Sequence, residues 1–169
     1  MSSDEKYKGL LLAISEYIKD DAFLKKSERA LFPTDLLLKG VISGYQEVIE
    51  WMREQAGALG IPLKEIYLDD LNCDGDNMQG PLASRETMSN PRHTEHPYRT
   101  FTTALGHLLR HRGLELKQKC GGASEDLLCG GKLLTYYGIV KWMQQYADMN
   151  DVPLAEIHLD GIVPDRDLI

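Results

Sequence analysis

Apolar residues recur at helical spacing along most of the chain. Between positions 4 and 20, Tyr7, Leu10, Leu11, Ile14, Tyr17 and Ile18 fall three or four residues apart. That spacing predicts an amphipathic helix, which Ser3 or Asp4 can cap. A similar stripe follows Pro97, at Tyr98, Phe101, Leu105, Leu108 and Leu109. A short second element is expected at about 21–31, ending before Pro33 because the residue ahead of a proline avoids helical geometry. A weaker counterpart stands at 113–120, closed by Gly121 and Gly122. A long helix is predicted from about Thr34 to Leu59, with the stripe Ile42, Tyr45, Val48, Ile49, Met52, Ala56 and Leu59. Its twin runs from about Ser124 to Met149, through Leu133, Tyr136, Ile139, Val140, Met143 and Ala147. Thr34 and Ser124 are the expected N-caps.

Glycines interrupt both long helices, at Gly40 and Gly44 and at Gly130, Gly131 and Gly138. Each costs up to ~1 kcal/mol in a helix interior, so they signal close helix contact or a break near 39–44 and 130–131. After each long helix comes Pro-Leu-x-Glu-Ile-x-Leu-Asp, preceded by Ile61 or Val152. Proline suits the first turn of a helix, whereas Ile66-Tyr67-Leu68 and Ile157-His158-Leu159 alternate like a strand. A two-stranded piece alone is only marginally stable, so a helical turn is the expectation.

These parallels belong to one pattern. Residues 45–69 align without a gap on residues 136–160, an offset of 91, with ten of 25 positions identical. The identities include Trp51 with Trp142, Pro62 with Pro153, Glu65 with Glu156 and Asp69 with Asp160. The same offset maps Tyr7 onto Tyr98 and Asp35-Leu36-Leu37 onto Asp126-Leu127-Leu128. The reading is a mainly α fold of two tandem helical repeat units. The first spans 1–71 and the second 98–169, joined by a linker at 72–97 that is rich in Asn, Gly, Pro and Ser. Two copies of one unit commonly pack about a pseudo-two-fold axis, like a fused dimer. One unit alone is marginal in size, so a shared core is expected. The offset is too long for a solenoid repeat. Trp51 and Trp142 are expected to anchor packing, with a ligand-stacking platform as the functional alternative.

Charge narrows the partners. The chain carries 26 acidic and 19 basic residues, net −7. Residues 1–91 hold 16 acidic and 10 basic, a net of −6, against 10 and 9 in the remainder, a net of −1. Such a surface repels phosphate backbones, so nonspecific nucleic-acid binding is excluded. No apolar run approaches the roughly 18 residues of a membrane span. The polar start MSSDEKYK does not read as a secretory signal. Three cysteines, Cys73, Cys120 and Cys129, are an odd number in a chain with a real core. That points to free thiols and a cytoplasmic setting rather than a disulfide framework.

Candidate chemistry is sparse. Asp70-Leu71-Asn72-Cys73-Asp74-Gly75-Asp76 begins like a calcium loop, but position twelve is Pro81 where a bidentate Glu is needed. His107 and His111 share a helix face, with Cys120 and Cys129 downstream. Imidazole and thiolate together suit zinc, so these four residues form the candidate metal set. Arg110, Arg112, Lys117 and Lys119 make the one basic cluster in the sequence. No phosphate-binding loop, dinucleotide fingerprint, nucleophile elbow or zinc-protease motif occurs, and no cofactor is expected. The functional expectation is a non-enzymatic acidic module that binds another, basic protein, such as a bacterial immunity protein or an adaptor. Its contact residues would be Glu47, Glu50, Glu54, Asp69, Asp70, Asp74 and Asp76. The alternative is a metal-dependent enzyme or metal-binding protein, using the acidic loop or the His/Cys group.

Overall fold

A computed structural model describes residues 3–69, 95–120 and 126–169. It consists of five α-helices and two 3-10 turns, with no strand among the described residues. Helix α1 spans Ser3–Leu31. Helix α2 spans Leu36–Leu59, and a first 3-10 turn spans Leu63–Ile66. Helix α3 spans Pro97–Cys120 and α4 spans Leu127–Met149. A second 3-10 turn, Leu154–Ile157, precedes the short α5, Pro164–Asp167. The Pro-Leu-x-Glu-Ile segments are thus helical turns. Each ends on a residue in the left-handed region, Tyr67 (φ 55°) and His158 (φ 57°).

Three sequence expectations need correction. Residues 21–31 are not a separate element, because α1 runs unbroken through them. In the same way α3 absorbs 113–120. The cap of α2 is Asp35 rather than Thr34. Its carboxylate accepts the Leu38 amide at 3.0 Å, and Asp126 does the same for Cys129 at 3.1 Å. A carboxylate at a helix start also meets the positive end of the helix dipole. The glycines break neither long helix, and their role is contact. A Cβ on Gly40 would overlap the Leu128 carbonyl oxygen and stand 3.0 Å from the Gly131 Cα. A Cβ on Gly131 would overlap the Leu37 carbonyl oxygen. Helices α2 and α4 therefore cross backbone to backbone, and theirs is the most extensive contact in the molecule.

One core joins all the long helices. Tyr7, Leu10, Leu11, Ile14 and Ile18 of α1 are fully buried, as are Phe101, Leu105 and Leu109 of α3. Val48 and Met52 of α2 meet Ile139, Val140 and Met143 of α4 in the same cluster. Ile66, Leu68, Ile157 and Leu159 hold the 3-10 turns against it. Truncating a fully buried aromatic such as Phe101 to alanine costs ~3–5 kcal/mol in comparable cores.

Two polar trios close the end of the bundle near the starts of α1 and α3. Tyr7 donates its phenol proton to Glu156, which also pairs with Arg99 at 3.1 Å. Tyr98 donates to Glu65, which pairs with Lys8 at 3.3 Å. Arg99 lies over the Tyr7 ring and Lys8 over the Tyr98 ring. The two trios occupy the same three positions, 91 residues apart, with partners exchanged. Burial, then the bond to Glu156, pushes the Tyr7 phenol up to about 12. The Tyr7 bond holds Glu156 below the usual carboxylate range, and the Tyr98 bond, followed by Lys8, does so for Glu65. A carboxylate depressed in the folded state stabilises fully above its unfolded pKa, and that stabilisation is lost as pH falls through the folded value. Denaturant midpoints should therefore drop as pH falls below about 4.3. The Tyr7→Phe, Tyr98→Phe double variant should be less stable at neutral pH and lose less on acidification. Parallel acid limbs in the variant and the parent would remove the trios from this account.

Candidate functional site

Continuity of α1 creates the first of two candidate sites. Tyr17, Asp21, Lys25 and Glu28 recur three or four residues apart, so they share one helix face that sequence reading had split between two elements. They line a groove of about 660 Å³ with Leu37, Leu38, Val41 and Tyr45 of α2 and Leu134, Tyr137 and Trp142 of α4. Phe32 and Asp35, between α1 and α2, complete its rim. The indole of Trp142 packs on Tyr17 at 5.2 Å and is 41% exposed. Phe32 is 62% exposed and Leu134 42%. Tyr45 donates its phenol proton to Asp21. Burial and that bond push the Tyr45 pKa far above its ordinary value, so the phenol stays protonated.

The other charges in this groove are partly matched. Lys25 pairs with Glu28 at 3.0 Å. Lys141 donates to the Tyr137 hydroxyl at 2.8 Å and pairs with Asp165 at 3.2 Å. Three carboxylates against two lysines leave the lining negative. Exposed apolar side chains continue past the rim, at Leu31, Leu36, Leu127 and Leu128. Large apolar rims around a cleft mark interaction sites in monomeric proteins. The groove can hold an apolar chain segment and neutralise a cation on it.

A second groove, of about 730 Å³, lies between α2, α3 and the second 3-10 turn. Trp51, half-buried, meets the edge of Phe101 at 5.9 Å and forms one wall. His107 and His111 stack at 6.4 Å, and His158 meets His107 edge-on at 5.7 Å. The left-handed backbone at His158 delivers its ring there. His158 is the member that sequence reading missed: the turn before it was expected, but nothing in the local pattern announces the left-handed residue that ends it.

The acidic residues named from sequence are scattered. Glu47, Glu50 and Glu54 are exposed on α2, on the side opposite Leu38, Val41 and Tyr45 by helical periodicity. Glu47 pairs with Lys132 of α4. Asp69 is exposed beyond the first 3-10 turn. Asp70, Asp74 and Asp76, the linker 72–94 and the proposed cap Ser124 lie outside the described residues.

The metal set is not assembled. Cys120 and Cys129 are bonded to each other as a disulfide, so neither offers a thiolate beside His107 and His111. Among the described residues no group of three or more His, Cys, Asp or Glu side chains could hold a metal ion. The expectation of free thiols at 120 and 129 is corrected by the same bond. The odd cysteine count hid it, because Cys73 is the one left over. The basic cluster is also largely engaged. Arg110 donates to the His158 and Asp160 carbonyls, and Arg112 and Lys119 both pair with Glu115. No helix among the described residues is long and apolar enough to cross a membrane. Comparison of the chain with protein families, with curated proteins and with solved structures finds no match in any of the three.

Proposed function

We propose that the protein is a non-catalytic binding module that seats a basic, amphipathic segment of a partner protein in the groove between α1, α2 and α4. The observation that carries this reading is the groove's lining: exposed Phe32, Leu134 and Trp142 beside the carboxylates Asp21, Glu28 and Asp35. Apolar anchors supply most of the affinity at such surfaces. The carboxylates select a cationic partner and reject an acidic one. Glu47, Glu50, Glu54 and Asp69, on other faces, steer a basic partner at long range without touching the seated segment. An inhibitor of a basic toxin, or an adaptor, has this chemistry.

The architecture behind this reading is a duplicated unit closed on itself. Gly40 meets Leu128 as Gly131 meets Leu37. The Tyr7 and Tyr98 trios exchange partners in the same reciprocal way. Arg53 donates to the Leu68 carbonyl, as Gln144 does to that of Leu159. Reciprocal contacts of this kind define an isologous interface, and they support a pseudo-two-fold axis through the Gly40–Gly131 crossing.

Two helical peptides of identical leucine pattern, one carrying lysines and the other glutamates, test the binding proposal. The lysine peptide should bind, with affinity falling as salt rises, and should change the Trp142 fluorescence. Asp21→Asn with Glu28→Gln should weaken it about tenfold, the effect of losing one or two desolvated charge pairs. Equal binding of the two peptides, or no effect of Leu134→Ala with Trp142→Ala, would overturn the reading.

A further inference from the structure

The groove beside Trp51 has a different chemistry from the rest of the molecule. In a chain of net charge −7, no carboxylate lines it. Its polar lining is His107, His111, His158, Arg99, Gln55 and threonine hydroxyls. Among the described residues none is hydrogen-bonded to the three imidazoles, which touch only one another as rings. Carboxylates on the flanking segments are already matched. Glu156 pairs with Arg99 at 3.1 Å, Glu115, four residues after His111, pairs with Arg112 and Lys119, and Asp160 lies 3.9 Å from Arg110. From α2 the facing groups, Trp51 and Gln55, are uncharged. No acidic side chain of the lining therefore competes with an incoming anion for the imidazole N–H groups.

Packing does not demand this arrangement. At the positions 91 residues earlier stand Glu16 and Asp20 in place of His107 and His111, and Tyr17 in place of Leu108. With Ala13 and Tyr146 these residues line a smaller cavity, of about 310 Å³. The same helix face tolerates carboxylates there, so the imidazoles are not required by the fold.

We infer that this groove binds a small organic anion carried on a planar ring, a ring carboxylate or ring phosphate, with the ring against Trp51 and the anionic group among His107, His111 and His158. An indole offers its face to a flat ring. Imidazole N–H groups donate hydrogen bonds to carboxylate or phosphate oxygens. The site uses other residues than the peptide groove and stands whether or not that groove binds a segment.

Calorimetric titration with benzoate and phenyl phosphate tests the inference. Benzamide is the uncharged control and inorganic phosphate the ringless one. Benzoate or phenyl phosphate should bind in the millimolar range or tighter. Benzamide and inorganic phosphate should bind at least tenfold more weakly. His107→Gln with His111→Gln should weaken both ring anions about tenfold, and Trp51→Leu should weaken the ring ligands but not inorganic phosphate. Asp21→Asn with Glu28→Gln, in the other groove, should change nothing. Thermal unfolding of each variant establishes that it is folded. Absence of heat with every probe would overturn the inference. So would equal affinity for benzoate and benzamide, or unchanged binding in the folded His107→Gln, His111→Gln variant.

Discussion

Gly131→Ala should destabilise the protein by about 3 kcal/mol, the upper end of overpacking costs, although alanine is the better helix former by ~1 kcal/mol. The added methyl would overlap the Leu37 carbonyl oxygen and stand 2.8 Å from the Val41 nitrogen and 2.9 Å from the Gly40 Cα. All three are backbone atoms of α2, so no side chain can rotate out of the way and the helices must part. Parting them also stretches the bond from the Thr135 hydroxyl to the Val41 carbonyl, 2.8 Å long, on the wall of the groove between α1, α2 and α4. Gly57 is the internal control. It lies in the same α2, and a Cβ there meets nothing within 4 Å. Gly57→Ala should be neutral or stabilise by up to ~1 kcal/mol. Urea denaturation of the two variants separates a contact role from helix propensity. If Gly131→Ala proved as stable as Gly57→Ala, the backbone crossing of α2 and α4 would be refuted, and the inferred axis with it.

The helical character of the chain was readable because apolar stripes at Tyr7–Ile18, Ile42–Ala56 and Leu133–Ala147 are strongly periodic and long. Boundaries were less readable. Phe23, Leu24 and Leu31 do not extend the buried stripe, since they face solvent. Residues 21–31 therefore looked like a different element although the helix simply continues. That misreading also concealed the groove between α1, α2 and α4, whose charged wall depends on Asp21, Lys25 and Glu28 sharing a face with Tyr17. The glycines were ambiguous in sequence because a helix break and a close helix contact ask for the same residue. Only the position of Leu128 and Leu37 against them decides between the two. The histidine groove was half legible. His107 and His111 share a face by spacing alone, but Cys120 and Cys129 suggested a metal, and His158 arrives from 47 residues away through a left-handed turn. Net charge carries no directional information: Glu47, Glu50 and Glu54 share the side of α2 turned away from the α1–α2–α4 groove, Asp69 lies past the first 3-10 turn, and Asp70, Asp74 and Asp76 fall outside the described residues.

Reduction of the Cys120–Cys129 disulfide should cost about 2.5 kcal/mol, the chain-entropy value for a loop of nine residues. The bond ties the last residue of α3 to the first turn of α4, where Asp126 caps the Cys129 amide. The positions 91 residues earlier are Arg29 and Leu38, which cannot be bridged, so the clip belongs to one half of the molecule. Its loss should loosen the α3–α4 end and lower the thermal midpoint by several degrees. It should leave the Tyr7 and Tyr98 trios, at the starts of α1 and α3, in place. The measurement is unfolding with and without a phosphine reductant, alongside the Cys120→Ser, Cys129→Ser variant. The reduced parent and the variant should coincide. Thiol titration of the denatured protein, purified without reductant, should find one free thiol, Cys73, and not three. A count of three in the denatured, unreduced chain would refute the bond. It would also restore the reading of a reducing environment, to which structural disulfides are poorly suited.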